Sequence, residues 1–268
     1  MNVSCISLLT DFGLYDEYVG VMKGVIASIN PYANVIDICH SIKPQDIVQA
    51  AYMLWYSHAY FPGNTVHVTI IDPGVGTDRR IIALKANQYF FLAPDNGVLS
   101  LIIKNYKCLS VHVTESKYFL SHVSGTFHGR DIFAPVAAHL SECRQLNTFG
   151  EMISTNELVK IEDIHPIRQK NQLEGKVVMT DHFGNLITNI SQQDLILDRY
   201  CSTQIDIKDV SIQGISKNYM QVQKGRLLAI IGSKGLLEIS ISSGNAKLEL
   251  GVEIGCQIRV MQNKALTN

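Results

Sequence analysis

Two short segments combine an aspartate, an arginine and a histidine with glycine-rich turns. In Thr69-Ile-Ile-Asp-Pro-Gly-Val-Gly-Thr-Asp-Arg-Arg80, an apolar run stops at Asp72 and a loop leads to Arg79; Thr126-Phe-His-Gly-Arg-Asp131 supplies His128. Such a set could hold and polarise a water molecule. Because a guanidinium stabilises an ionised carboxylate, Asp72 is expected to orient this water more than to act as a strong base. A structural ion pair that fixes the loop is the alternative, and spacing leaves both open.

His128 stands where a loop enters an apolar stretch that reads as a helix. The positive end of a helix dipole favours the neutral imidazole, which suits it to share a proton with water. The chain has nine histidines, however, so a structural or exposed role is the competing interpretation. Arg130 and Asp131 next to it could be only an ion pair and a helix N-cap.

Other polar turn residues could bind a ligand. Asp11 follows the first apolar run, and its carboxylate could accept both hydroxyls of a ribose or cap the next helix. Asp181 and Asn185 share a turn that could read an ammonium group and a purine edge, although both are ordinary turn residues. Ser233, in Gly232-Ser-Lys-Gly235, could help to catch a carboxylate or belong only to a hairpin.

The elements that must position these residues alternate between strand and helix over the first half of the chain. Val3 to Leu9 reads as a strand, apolar positions recur at helical spacing from Tyr18 to Ile29, and Asp46 is a plausible N-cap for a helix that runs to about Tyr60. We therefore predict an α/β domain over residues 1–155, with a largely parallel sheet flanked by helices. Ligands bind in such sheets beyond the carboxyl ends of the strands, where Asp11 and Asp72 stand.

The pattern changes after about residue 170. Short β-like runs, among them Thr203 to Ile207 and Leu236 to Ile241, are separated by Gly, Asn and Ser turns. These predict an all-β, barrel-like domain over residues 173–268, with residues 156–172 as the linker.

Composition limits the classes of function. The chain has 268 residues, 46% of them hydrophobic and 18% charged, and a formal net charge of −1. These values are typical of a packed globular protein, and they give no basic footprint for nucleic acid or an anionic membrane. We expect a small-molecule partner and a cytoplasmic location, because no apolar run has the length of a membrane span. Nucleotide-binding glycine motifs, the H-E-x-x-H metal motif and the G-x-S-x-G nucleophile motif are absent from the sequence.

The cysteines are scattered, without C-x-x-C pairs or histidines at ligand spacing. This predicts neither a metal site nor a disulfide framework, and we interpret them as buried thiols in a reducing compartment. The positions are Cys5, Cys39, Cys108, Cys143, Cys201 and Cys256.

Taken in order, several motifs resemble the S-adenosyl-L-methionine hydroxide adenosyltransferase family, which is related to the fluorinases and chlorinases. The resemblance covers nearly the whole chain, from Leu8 to about residue 245. The motifs are Thr10-Asp-Phe-Gly13, Tyr18-Val-Gly-Val-Met-Lys-Gly24, Asp72-Pro-Gly-Val-Gly-Thr77, Pro94-Asp-Asn-Gly97, Phe127-His-Gly-Arg-Asp-Ile-Phe-Ala-Pro135 and Asp181-His-Phe-Gly-Asn-Leu-Ile-Thr-Asn189.

This resemblance implies metal-independent hydrolysis of S-adenosyl-L-methionine to adenosine and L-methionine, with no cofactor. It also implies a homotrimer that grips the adenosyl ligand between the α/β domain of one subunit and the β-barrel domain of its neighbour. By resemblance, the water-activating residues are Asp72, Arg79 and His128. The positions that match substrate contacts are Asp11 for the ribose, and Asp181, Asn185, Ser233 and Glu238.

Two other functions compete with hydrolysis. Halide-dependent adenosyl transfer would yield a 5′-halo-adenosine, but the halogenating relatives carry a non-acidic residue where this chain has Asp72, and the fluorinases carry a hydroxyl residue at the position of Gly129. A carboxylate beside the nucleophile would repel a halide, so water is the better match. The third possibility is a protein that binds adenosine or S-adenosyl-L-methionine without catalysis.

Overall fold

A computed structural model describes residues 4–162, 164–170 and 172–262. The chain divides into two compact units, Met1–Glu162 and Asp163–Asn268. Each unit has its own hydrophobic core.

The first unit is a seven-stranded sheet with helices. Its strands are β1 Cys5–Thr10, β2 Asn34–Cys39, β3 Val66–Ile70, β4 Ile81–Ala86, β5 Tyr89–Pro94, β6 Cys108–Val113 and β7 Gly150–Ile153. Its α-helices are α1 Tyr18–Ile29, α2 Ile47–Ser57, α3 Ser100–Asn105 and α4 Ala134–Cys143. The strand order is β2-β1-β3-β5-β4-β6-β7.

The sheet is mixed. Strands β2, β1, β3 and β5 run parallel, whereas β4 pairs antiparallel with both β5 and β6, and β6 pairs antiparallel with β7. The predicted α/β class is confirmed, but half of the pairings are antiparallel. One of these is the hairpin that β4 and β5 form around Asn87. Asn87 takes the left-handed conformation (φ 50°) that such tight turns favour.

The two faces of this sheet bury different residues. Ile6 and Leu8 of β1 join a core with Met22 and Ile26 of α1 and with residues of α4. Ser7 lies between them, so it points to the opposite face. Burial on both faces explains why every residue of β1 is buried.

The second unit is an all-antiparallel, nearly closed barrel. Its strands are β8 Ile167–Gln169, β9 Gln172–Thr180, β10 Leu186–Ser191, β11 Thr203–Ile207, β12 Val210–Gln213, β13 Leu227–Ile231, β14 Leu236–Ile241 and β15 Gln257–Gln262, and its helix is α5 Ala246–Leu250. The order is β12-β11-β15-β9-β10-β14-β13, with β8 paired to β9. The terminal strands β12 and β13 lie next to each other, which confirms the predicted all-β barrel class.

Two expectations need correction. The helix expected from about Arg130 begins as a π-helical turn, Gly129–Phe133, and becomes α-helical only at Ala134. The cysteines are all free, but only Cys5 is buried; Cys143 and Cys201 are exposed. Within the described part of the chain, no helix has the length and apolar character needed to cross a membrane.

Candidate active site

Asp72 follows β3 at the carboxyl end of the parallel strands and starts the loop to Arg79. The loop turns at Gly76, whose φ is +79°, and a Cβ there would lie 2.1 Å from the carbonyl oxygen of Gly125. Only glycine allows this approach. The Asp72 loop is therefore pressed against the loop that leads to His128.

Arg79 bridges Asp72 and His128. Its Nε donates to Asp72 Oδ1 at 2.7 Å, its Nη2 donates to Asp72 Oδ2, and Nη2 lies 3.0 Å from His128 Nδ1. The Asp72 and Arg79 side chains are 6% and 11% exposed. The guanidinium also lies 5.8 Å from the centre of the Phe133 ring. Two forked hydrogen bonds and a ring contact fix this arginine in one orientation.

His128 immediately precedes the π-helical turn. Burial lowers the pKa of His128 below its usual value of 6.5, and the charge of Arg79 lowers it further, while Asp72, Asp131 and a backbone hydrogen bond with Ser124 oppose the shift. Since Arg79 can only donate, Nδ1 is the acceptor, and the neutral ring carries its proton on Nε2. His128 is thus biased toward the neutral imidazole, as expected, but the causes are burial and the charge of Arg79 and not a helix dipole.

Asp131, within this turn, stabilises it through hydrogen bonds to neighbouring groups. It is fully buried, receives the Ser124 backbone N–H at 2.8 Å and pairs with Arg130 Nε at 2.6 Å. The hydrogen bonds to Ser124 and Arg130 lower the pKa of Asp131 against the opposing effect of its burial. The ion pair with Arg130 is present, but Asp131 ties down the preceding loop instead of acting as an N-cap.

A cavity of about 310 Å³ opens beside this group. Asp72 and His128 line it, and Arg79 lies behind them. Asp11 lines it too, with its Oδ2 accepting the Gln45 backbone N–H at 2.9 Å. The remaining lining residues are Phe12, Tyr18, Pro44, Gln45, Ile70, Pro73, Val75, Thr126, Phe127 and Gly129.

The cavity has an aromatic wall that sequence reasoning missed. The rings of Phe12, Tyr18 and Phe127 lie 5.0 to 6.1 Å apart in tilted and edge-to-face pairs. Flat apolar surfaces in the same cavity as two carboxylates suit a ligand with aromatic and polar parts. Phe12 and Tyr18 could have been suspected because they follow Asp11 closely.

The second unit contains a separate polar cluster. Asp181 accepts the backbone N–H of Asn185 at 2.9 Å and its side-chain amide at 2.7 Å. Glu238 is 4% exposed and receives the Tyr219 hydroxyl at 3.0 Å. Burial raises the pKa of Glu238 and the nearby charge of Asp181 adds to the rise, while Tyr219 and Lys234 lower it.

Glu238 also touches the turn that carries Ser233. A Cβ at Gly232 would lie 1.8 Å from Glu238 Oε1, so the carboxylate sits directly on this turn, where Ser233 is exposed. The sequence did not indicate Tyr219 as a site residue, because it lies before β13 in a segment without a recognisable pattern. Among the described residues, no group of His, Cys, Asp and Glu is placed to hold a metal ion.

The chain is similar to known proteins over most of its length. The family model described as the SAM hydroxide adenosyltransferase N-terminal domain matches residues 6–150, and that of the C-terminal domain matches residues 175–259. A curated relative from Thermus thermophilus, an (R)-S-adenosyl-L-methionine hydrolase, is 32% identical over 94% of this chain and 98% of its own. A fluorinase from Nocardia brasiliensis is 30% identical over 71% of this chain and 72% of its own.

The fold has solved counterparts. The crystal structure of an uncharacterized conserved protein from Thermotoga maritima superposes with a TM-score of 0.88 at 35% identity, covering 96% of this chain and 99% of that one. The similarity includes both units.

Proposed function

The chain belongs to the SAM hydroxide adenosyltransferase family, and we propose that it hydrolyses S-adenosyl-L-methionine to adenosine and L-methionine by attack of water on C5′ of the ribose. The observation that carries the proposal is the Asp72–Arg79 ion pair, joined to His128 at the wall of a cavity of about 310 Å³. The similarity to the (R)-S-adenosyl-L-methionine hydrolase of Thermus thermophilus supports the same reaction.

The chemistry needs a positioned nucleophile more than an acid. The sulfonium makes C5′ electrophilic; as the C5′–O bond forms, the C5′–S electron pair moves to sulfur and methionine leaves as a neutral thioether. The leaving group therefore needs no proton. Alignment of the water with the C5′–S bond can contribute roughly 7–11 kcal/mol in well-oriented systems.

We propose that Asp72 accepts the proton of the attacking water. Arg79 occupies one lone pair on each of its oxygens, and each oxygen keeps another that can receive a water O–H. As the C–O bond forms, the attacking water becomes acidic enough for even this weakly basic, ion-paired carboxylate to accept its proton, which then passes to solvent. We assign His128 to completing the water site and to fixing Arg79 through Nδ1.

Asp11 is the ribose-binding carboxylate in this proposal. Its Oδ2 is held by Gln45, which leaves Oδ1 for a ribose hydroxyl. The aromatic wall would pack against the adenosyl group. A carboxylate next to the nucleophile disfavours halide, so we rank halide-dependent transfer below hydrolysis.

We extend the proposal to the second unit and the assembly. Asp181 and Glu238 would attract the methionine ammonium group, and Asn185 and Ser233 would provide hydrogen bonds. We propose a homotrimer in which a neighbouring copy supplies this cluster, with no metal or cofactor, in the cytoplasm. Light scattering of the purified chain tests the assembly, since a monomeric mass would contradict it.

Heavy-oxygen labelling tests the reaction. We expect purified protein in ¹⁸O-water to form adenosine labelled in its 5′-hydroxyl, while adenosine incubated without S-adenosyl-L-methionine stays unlabelled. Unlabelled adenosine would contradict attack at C5′. A parallel incubation with chloride or fluoride distinguishes the rival, which predicts 5′-halo-adenosine.

A further inference from the structure

The end of β1 is tied to β2 by buried polar side chains outside the proposed water site. Thr10 directly precedes Asp11, and its Oγ1 lies 2.8 Å from His40 Nδ1. The same oxygen receives the backbone N–H of Phe12 at 3.2 Å, and the Gly13 N–H donates to the His40 carbonyl at 2.7 Å. The two backbone N–H groups that follow Asp11 are therefore held by Thr10 and His40.

His40 is itself held from its other nitrogen. Its Nε2 lies 3.1 Å from Asp37 Oδ1, and Asp37 Oδ2 receives Lys23 Nζ at 2.6 Å. Partial burial opposes ionisation of Asp37, but Lys23 and His40 lower its pKa. The contact of Nε2 with Asp37 is a close charge contact and not a well-aligned hydrogen bond. A bare nitrogen lone pair facing an anionic oxygen would be repelled, so Nε2 carries the ring proton, Nδ1 accepts from Thr10, and Thr10 Oγ1 accepts from Phe12.

The strand geometry is altered in a way that allows this arrangement. Leu8 pairs with Asp37 and Leu9 with Cys39, so Ile38 is an extra residue, a bulge in β2. In a regular strand, residues three apart point to opposite faces, and a bulge removes this difference. The irregularity lies between Asp37 and His40, which directly follows β2, and the two side chains meet across it.

We propose that His40, oriented by Asp37 and Lys23, is a positioning residue for Asp11. It fixes the backbone of residues 10–13, while the Gln45 backbone N–H fixes the Asp11 carboxylate. His40 is 3% exposed and does not line the cavity, so it acts only through the loop. This inference rests on the proposed binding of an adenosyl group by Asp11.

Calorimetric titration with adenosine tests the proposal without depending on turnover. Thr10→Val removes the hydroxyl but keeps the shape, and Thr10→Ser is the matched control that keeps the hydroxyl. We expect Thr10→Val to weaken adenosine binding about three- to tenfold, as for the loss of a buried hydrogen bond, and Thr10→Ser to bind nearly as the parent chain does. In an Asp11→Asn background, Thr10→Val should cause no further loss.

A second pair of variants covers the case in which Thr10→Val does not fold. His40→Asn keeps an acceptor near the position of Nδ1 and should retain affinity, whereas His40→Gln places its amide near Nε2 and should lose it. Equal losses from Thr10→Val in the parent and Asp11→Asn chains would overturn the inference, as would unchanged affinity in Thr10→Val or, where that variant does not fold, in His40→Gln. A parent chain that does not bind adenosine would instead contradict the proposed function.

Discussion

His128 and His67, two of the three histidines of the first unit with a lowered pKa, have very different surroundings. His128 lines the cavity and contacts Arg79 beside Asp72. His67, on β3, is fully buried, and its Nδ1 lies 2.7 Å from Ser7 Oγ. The rings within 6.2 Å of the His67 ring are those of His58, Phe61, Tyr89 and Phe91.

The causes of the two shifts distinguish the regions. Burial lowers the pKa of His67 to about 3, with a smaller contribution from His58 and no carboxylate to oppose it. Around His128, burial and Arg79 act against the charges of Asp72 and Asp131. A lowered pKa alone therefore does not identify a reactive site. His128 is distinguished by its access to a cavity and by the opposing charges near it. Burial of the polar His67 ring instead lowers the stability of the fold, and the packing around the ring must offset this loss.

Asp72→Asn should produce the largest effect on activity. The amide is nearly the same size but cannot take the water proton, so we expect turnover to fall by about 10²–10⁴-fold. Adenosine affinity should change little, which calorimetry checks. Asp78→Asn, at an exposed aspartate of the same loop, is the matched control and should retain full activity. A fully active Asp72→Asn chain would remove Asp72 from the chemistry.

Replacing the two histidines should separate stability from catalysis. His67→Ala leaves a cavity and an unpaired Ser7 hydroxyl, so urea unfolding should show a loss of about 2–4 kcal/mol, with the folded protein still active. His128→Asn should show the reverse pattern, with reduced turnover and a nearly unchanged midpoint. Loss of activity in folded His67→Ala would contradict a purely structural role for that ring.

Much of the fold could be predicted because local patterns specify it. The helix at Tyr18–Ile29 and the strands at Thr203–Ile207 and Leu236–Ile241 have the predicted bounds. The antiparallel pairings of β6 with β4 and β7 were not predicted, because pairing order depends on contacts between distant segments. Strands β7, β8 and β12 have three or four residues, too few for the alternation of apolar and polar residues to be recognised.

The same limit applies to polar contacts. Asp72 and Arg79 could be suspected because they share one loop at the end of a strand. Thr10 and His40 are 30 residues apart, and Tyr219 and Glu238 are 19 apart, without any motif that joins them. Each bond joins a strand residue, Thr10 or Glu238, to a residue outside the strands, His40 or Tyr219, and neither contact has a local signature in the sequence.

Acid should destabilise the protein through the buried histidines. Because the folded pKa of His67 is about 3, the unfolded chain binds a proton first as the pH falls below about 6.5. Stability is therefore complete above that pH and declines toward pH 3, at up to about 1.4 kcal/mol per pH unit, or about 2 kcal/mol between pH 6.5 and 5. Burial lowers the pKa of His58 and acts in the same direction.

Urea unfolding at pH 7.5 and pH 5 measures this loss. The double variant Ser7→Ala/His67→Leu removes the buried imidazole together with its partner hydroxyl, so its stability should depend less on pH than that of the parent chain. An equally steep dependence in the double variant would assign the acid sensitivity to other groups.

The smallest expected effect is on the titration of His128, followed by NMR of the imidazole protons. The parent His128 should titrate below 6.5, and Arg79→Gln should move the pKa upward, because a nearby positive charge is removed while Asp72 and Asp131 still favour the imidazolium. Arg80→Gln is the matched control, since Arg80 pairs with Asp95. If His128 titrates identically in both variants, burial alone would explain its pKa, and the contrast with His67 would reduce to access to the cavity.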